Sequence, residues 1–170
     1  MAREISAGGV VLRRISGIWH IAAIVPRRDP EADPPSLKGK QQPELLALPK
    51  GLVDPPEKPE QTAVREVREE TGVTATVVTK LTDIKYSYIR SWGDRQRVFK
   101  IVSFYLLRYE SGQINDLSPE MRLEVKEALW VPLEEVPQRL TYRSERDVVD
   151  RAKEYVNAHP ECQEGANASQ

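Results

Sequence analysis

Cysteine is almost absent: Cys162 is the only one in 170 residues, in a polar stretch near the C-terminus. A lone thiol excludes a disulfide framework, a thiolate zinc cluster and a cysteine redox pair, and it points to a reducing, cytoplasmic setting. Histidine is nearly as scarce. His20 and His159 lie far apart in the chain, so chemistry built on a histidine cluster is not expected. The start, Met1 to Ser6, lacks the basic opening and apolar run of a secretory signal. No stretch reaches the ~20 apolar residues of a membrane span. An excess of one charge is missing too: 25 Lys+Arg stand against 26 Asp+Glu, a net charge of −1. That balance argues against bulk attraction to nucleic acid or an anionic membrane, while leaving local patches open.

What is present is an ordinary globular balance, 30% charged and 39% hydrophobic, in a length suited to one domain. Residues 5–12 and 18–25 read as strands around a Ser16-Gly17 turn. Residues 26–43, with Pro26, Pro30, Pro34, Pro35 and Pro43, read as a loop insertion, since prolines deny a ladder its donors. Leu45 to Leu48 reads as a short strand ending at Pro49-Lys50-Gly51. A helix is expected from Pro59 to Thr71, with Gly72 as its stop. Strands follow over 73–90 and 97–109, joined through Ser91 to Asp94, and another near Glu124 to Val131. Ser144 is expected to cap a final helix, with Asp147 in capping-box position and Val148, Val149, Ala152, Tyr155 and Val156 as its apolar stripe. The expectation is a single domain over 1–158, an α/β sandwich around a mixed sheet, with residues 159–170 a flexible polar tail.

The first helix breaks a local rule. At 100° per residue, Glu66, Glu69 and Glu70 share one ~100° sector, beside a sector of Ala63, Val64 and Val67 suited to the core. Three carboxylates there repel one another, and they lie toward the helix C-terminus, where the macrodipole also disfavours anions. Arg65, four residues before Glu69, offsets only part of this. A divalent cation is the simplest compensation, because magnesium prefers hard oxygen ligands shared with water and phosphate.

The spacing around this helix is specific. Gly51 is followed after five residues by Glu57, and after seven more by Arg65-Glu66-Val67-Arg68-Glu69-Glu70-Thr71-Gly72-Val73. This resembles the signature of the Nudix hydrolases at every specified position. The resemblance implies an α/β/α sandwich that cleaves nucleoside diphosphates linked to another moiety, using Mg2+ or Mn2+ and an activated water. It implies Glu66, Glu69, Glu70 and the Gly51 carbonyl as metal ligands, with Arg65 holding Glu57 or Glu69. Leu48-Pro49-Lys50-Gly51 is similar to the diadenosine polyphosphate hydrolase subgroup and to related MutT-like enzymes. By the same resemblance, Lys100 stands at a phosphate-contacting position, Glu124 at an extra catalytic carboxylate, and Leu140-Thr141-Tyr142 with Arg146 at the start of the C-terminal helix. Leu52, Asp54 and Pro56 depart from the tetraphosphate hydrolase pattern. The implied substrate is a diadenosine polyphosphate. Other nucleoside triphosphates, oxidised nucleotides and ADP-ribose, or a non-catalytic nucleotide sensor, are the alternatives. No oligomeric state is read from the chain.

Further substrate contacts are expected from Arg90, Arg95, Arg97 and Lys100, and from Lys50 beside the metal-binding glycine. Tyr86, Tyr88 and Trp92 fit either base stacking or sheet packing, and Tyr142 is a stacking candidate.

Overall fold

The computed structural model describes residues 2–27, 43–90 and 93–165. Its strands are β1 (Ala2–Ile15), β2 (Ile18–Pro26), β3 (Lys50–Leu52), β4 (Val73–Ile89), β5 (Arg97–Gly112) and β6 (Val125–Pro132). Its helices are α1 (Pro59–Thr71), the short α2 (Val136–Arg139), α3 (Arg143–Ala158) and the short α4 (Glu161–Gly165). The sheet runs β4-β5-β1-β2-β6, with β3 added to β1. It is mixed, because β1 and β5 run parallel while the other pairs are antiparallel.

Ser16 and Gly17 both have positive φ, 50° and 80°, as a two-residue primed hairpin turn requires. Beyond Leu12 toward the start of β1, β2 no longer pairs, and β3 takes the same edge at Ser6 to Gly8. Side-chain alternation then divides the core. Val10, Val102, Phe104 and Leu106 face α3 through Val148, Val149, Ala152 and Val156, with Tyr155 half-buried beside them. Ala7, Val11, Tyr105 and Leu107 face α1 through Ala63 and Val67. The sheet is thus flanked by helices on both faces, the α/β/α sandwich the motif implies.

α1 begins and ends where its residues dictate. Pro59 opens the first turn, and Lys58 N–H donates to Gln61 Oε1 at 2.8 Å. Gly72 closes it at φ 84°, donating its N–H to the Arg68 carbonyl at 2.9 Å. A Cβ there would lie 2.5 Å from the Gln113 carbonyl oxygen, so both space and backbone demand glycine.

Three expectations are corrected. Leu45 to Leu48 is not a ladder strand; only Ala47 bridges to Ile24, and the ladder forms at Lys50–Leu52. Pro49 has no N–H to donate, and the Leu46 and Leu48 amides are taken by side chains of Thr141 and Glu145. Ser144 is not the cap of α3: the helix starts one residue earlier, and the Tyr142 carbonyl accepts the Glu145 and Arg146 N–H groups. The polar tail is helical from Glu161 to Gly165, after a stacked pair of Tyr155 and His159 with ring centroids 3.9 Å apart. Most of the proline-rich loop (28–42), Trp92 and residues 166–170 lie outside the described residues. Among the described residues no helix is long and apolar enough to cross a membrane.

Candidate active site

Packing of Ala63 and Val67 against the sheet decides which side of α1 meets β3. That side carries Glu66 and Glu70, with Glu69 at its edge. They line an open cleft of about 640 Å³ together with Lys50, Gly51, Arg65 and Glu124. Glu124 reaches it from the far wall, after the single turn Met121–Leu123, and its carbonyl accepts the Arg27 N–H at 2.8 Å. Gly51 has a steric reason to be glycine: an added Cβ would lie 2.2 Å from the Glu66 carboxyl carbon. Gly51→Ala is therefore expected to push Glu66 aside and lower kcat about 100-fold, since misplacements of ~1 Å cost that much. Circular dichroism should stay native; an unchanged kcat would remove Glu66 from the reacting centre.

Arg65 organises the acids. Its Nε donates to Glu57 Oε2 at 2.8 Å and Nη2 to Glu57 Oε1 at 2.9 Å, a bidentate pair. Nη1 donates to Glu66 Oε1 at 2.9 Å and Glu69 Oε2 at 3.2 Å, and Nη2 also reaches the Leu52 carbonyl at 3.2 Å. The alternatives for its partner thus resolve to both glutamates, with Glu66 added. The Arg65 hydrogen bonds, helped by the Thr62 hydroxyl, pull the Glu57 carboxyl down to about 2.

Glu70 is the opposite case. It is 9% exposed, and Oε1 accepts the Lys50 N–H at 2.7 Å. Burial pushes its carboxyl up to about 8, and the Glu66 and Glu124 charges push the same way. Burial also raises Glu66, against the pull of Arg65. Among the described residues, no three acidic side chains stand close enough to grip one ion as placed, and Arg65 donates to both Glu66 and Glu69. The donor set still fits a divalent cation. Hard oxygens cluster in a cleft, Glu70 buried and Glu66 half-buried, and the Gly51 backbone beside them is bare.

A stability profile follows. Without metal, native Glu70 keeps a proton that the unfolded chain releases near 4.5, so stability falls as pH rises from about 4.5 through about 8. Glu57 acts oppositely, its contribution being lost as pH falls from about 4.5 toward 2. In chelator, Tm should drop by several degrees between pH 5 and 9, and magnesium should restore it most at the alkaline end. Thermal melts across pH test this; a flat profile indifferent to magnesium would contradict it.

Behind β3, on the α3 face, stands a second set. Lys50 Nζ donates to Glu145 Oε2 at 3.0 Å and lies 5.7 Å from the Tyr142 ring centroid. Burial alone would lower the Lys50 ammonium, but the Glu145 charge and hydrogen bond outweigh it and raise it. Lys100 is lowered, by burial first and by the Lys50 charge; Glu4, 3.9 Å away, partly offsets this. Tyr88 donates to Glu4 at 2.9 Å, and Tyr86 and Tyr142 are each 43% exposed. Arg97 is not in this set. It stands three residues from Lys100 on a regular part of β5, exposed on the other face. Arg95 sits at a positive φ of 53° in the turn, and the buried Arg90 Nε has no hydrogen-bond partner. The run of cations is thus divided: Lys100 joins Lys50 on this face, Arg90 lies near Tyr88, and Arg97 faces away.

Glu145 and Glu4 were not foreseen. Glu145 carried a signal: it lies three, four and seven residues before Val148, Val149 and Ala152, an acid on the apolar stripe. Glu4 carried none, since its partners are set by the pairing of β1 with β5.

Comparison with known proteins agrees with this fold and cleft. The family model described as the NUDIX domain matches residues 19–152. The chain belongs to the Nudix family. It is 38% identical over 156 residues to the MutT4 protein of Mycobacterium tuberculosis, covering 91% of this chain and 56% of that protein. It therefore spans little more than half the length of that relative. It is 30% identical over 114 residues to the mouse asymmetrical bis(5'-nucleosyl)-tetraphosphatase, covering 66% of this chain and 72% of that one. A C. elegans Ap4A hydrolase structure shares the fold at TM-score 0.65 and 20% identity, covering 91% and 98% of the two chains. So does the NUDIX domain of Shewanella oneidensis NrtR complexed with ADP ribose, at TM-score 0.59 and 21% identity, covering 92% and 90%.

Proposed function

We propose that this chain is a metal-dependent pyrophosphohydrolase of nucleoside polyphosphates, with diadenosine polyphosphates as its preferred substrates. The observation that carries the reading is the cleft itself: buried Glu70 and half-buried Glu66 meet Glu69, Glu124 and the bare Gly51 backbone, one residue from Lys50. Glu66, Glu69, Glu70 and the Gly51 carbonyl would hold Mg2+ or Mn2+. Such an ion supplies charge neutralisation on the phosphate oxygens and a more acidic water.

The chain's own groups do the rest. Arg65, clamped by Glu57, fixes the orientation of Glu66 and Glu69. Glu124, exposed on the opposite wall, can take the proton of the attacking water. The water oxygen bonds to phosphorus as the phosphoanhydride P–O bond breaks, and the leaving phosphate departs as an anion. Lys50 and Lys100 offset that charge, and Tyr142 offers a half-exposed ring for a base. Arg97 has no part in this mechanism, because it faces away. A cytoplasmic location belongs to the same proposal.

Similarity to the mouse tetraphosphatase supports the dinucleotide substrate; similarity to a MutT protein, together with the MutT-like resemblance of the Leu48 to Gly51 segment, supports a second reading for this chain, a nucleoside triphosphate or its oxidised form. Incubation with magnesium and a panel of dinucleoside polyphosphates, triphosphates, ADP-ribose and nucleotide sugars, with products resolved by chromatography, decides between them. The first reading expects fastest turnover of a dinucleoside polyphosphate; fastest turnover of a triphosphate favours the second. Tight nucleotide binding without turnover of any compound would leave a sensor rather than an enzyme.

A further inference from the structure

The segment bearing Lys50 and Gly51 is held from the α3 side by one buried acid. Glu145 is 3% exposed, and both its oxygens are used: Oε1 accepts the Leu48 N–H at 2.8 Å and Oε2 accepts Lys50 Nζ at 3.0 Å. Just before it, Thr141 ties Leu46 in both directions, its N–H donating to the Leu46 carbonyl and its Oγ1 accepting the Leu46 N–H, each at 2.9 Å. The Lys50 amide donates to Glu70 at 2.7 Å. Residues 46 and 48 are thus fastened to the start of α3, and residue 50 to α1 through its amide and to α3 through its ammonium.

An apolar side chain at 145 would continue the stripe of α3 into the core without the desolvation a buried carboxylate suffers. Packing therefore does not explain the acid, but its two partners do. We propose that Glu145 is a positioning residue of the cleft: it sets the register of Leu48 to Gly51 and holds the Lys50 ammonium where a substrate phosphate meets it. The proposal rests on reading the cleft as a polyphosphate site. Glu145 itself touches neither substrate nor the metal-binding acids. An ammonium has three donors, and Glu145 takes one; with the Lys50 side chain 29% exposed, the others are left for phosphate oxygens.

Glu145→Gln is the informative change, because a carboxamide has one acceptor oxygen where the carboxylate has two, and cannot serve both Leu48 and Lys50. Wild type, Glu145→Gln, Lys50→Met and the double variant are compared in two assays with magnesium. One is calorimetric Kd for inorganic tripolyphosphate; the other is KM and kcat for diadenosine tetraphosphate. Glu145→Gln is expected to raise Kd and KM about fivefold to tenfold with kcat within about twofold. The double variant should be no weaker than Lys50→Met alone, since the two residues act as one unit. Equal losses from Glu145→Gln in both backgrounds, or a lowered Tm with Kd and KM unchanged, overturn the proposal. If Glu145→Gln fails to fold, Glu145→Asp keeps both acceptors one methylene short and should raise KM by a smaller factor; an unchanged KM there also overturns it. A non-additive Kd cycle in a wild type that turns over no nucleotide would support the positioning role while removing the hydrolase reading.

Discussion

Glu70→Gln is expected to lower kcat by about 10²–10³ while making the metal-free protein more stable at alkaline pH. The opposite signs come from one fact. Glu70 is buried beside Glu66 and Glu124, so its charge is costly until a cation arrives, and that same charge is what would hold the cation. Glutamine keeps an oxygen for the Lys50 N–H, so the local geometry survives. In chelator at pH 9 the variant should gain about 1–2 kcal/mol, the usual benefit of removing an uncompensated buried charge. Steady-state kinetics and urea melts read the two effects separately. Near wild-type turnover, or a destabilised variant, would remove Glu70 from the metal site.

Arg65→Lys is expected to lose both activity and stability. Arg65 makes four hydrogen bonds to three glutamates and one to the Leu52 carbonyl, a fan that only a planar guanidinium spans. Lysine keeps the charge and cannot grip Glu57 bidentately while reaching Glu66 and Glu69. With the side chain 34% exposed, solvent screens part of the loss, and about 1–2 kcal/mol of stability is expected to go. Freed from their clamp, Glu66 and Glu69 lose their orientation, and kcat should fall about 100-fold. Equal kinetics for Arg65→Lys and wild type would mean that positive charge alone suffices there.

The site was legible where it is local in sequence. Gly51, Glu57 and the run Arg65 to Gly72 fall within one loop and one helix, so helical spacing alone brought Glu66, Glu69 and Glu70 together. The stops of α1 were legible for the same reason, Pro59 and Gly72 being local signals. What was lost depends on distant pairing. Leu46 and Leu48 look like strand residues, yet their amides are claimed by Thr141 and Glu145 across more than ninety residues of chain, and Pro49 breaks the ladder. Lys100 meets Glu4 because β1 and β5 lie side by side, which no local pattern announces. Arg97 is different: its separation of three from Lys100 already put it on the other face of a strand, and counting cations without regard to alternation hid that. The net charge of −1 does not divide into an acidic site and a basic one: acids gather around α1, while Lys50 and Lys100 behind it are each paired with an acid, Glu145 and Glu4.

The central claim is that the carboxylate cleft hydrolyses phosphoanhydrides only with a divalent cation bound by its acids. Magnesium titration of turnover at pH 8, on whichever polyphosphate reacts fastest, tests it most directly when run on wild type and Glu70→Gln side by side. The account predicts no turnover in chelator, saturable recovery by wild type as magnesium is added, and no comparable recovery by the variant at any concentration. Turnover that persists in chelator, or a variant that regains the wild-type rate, would contradict it.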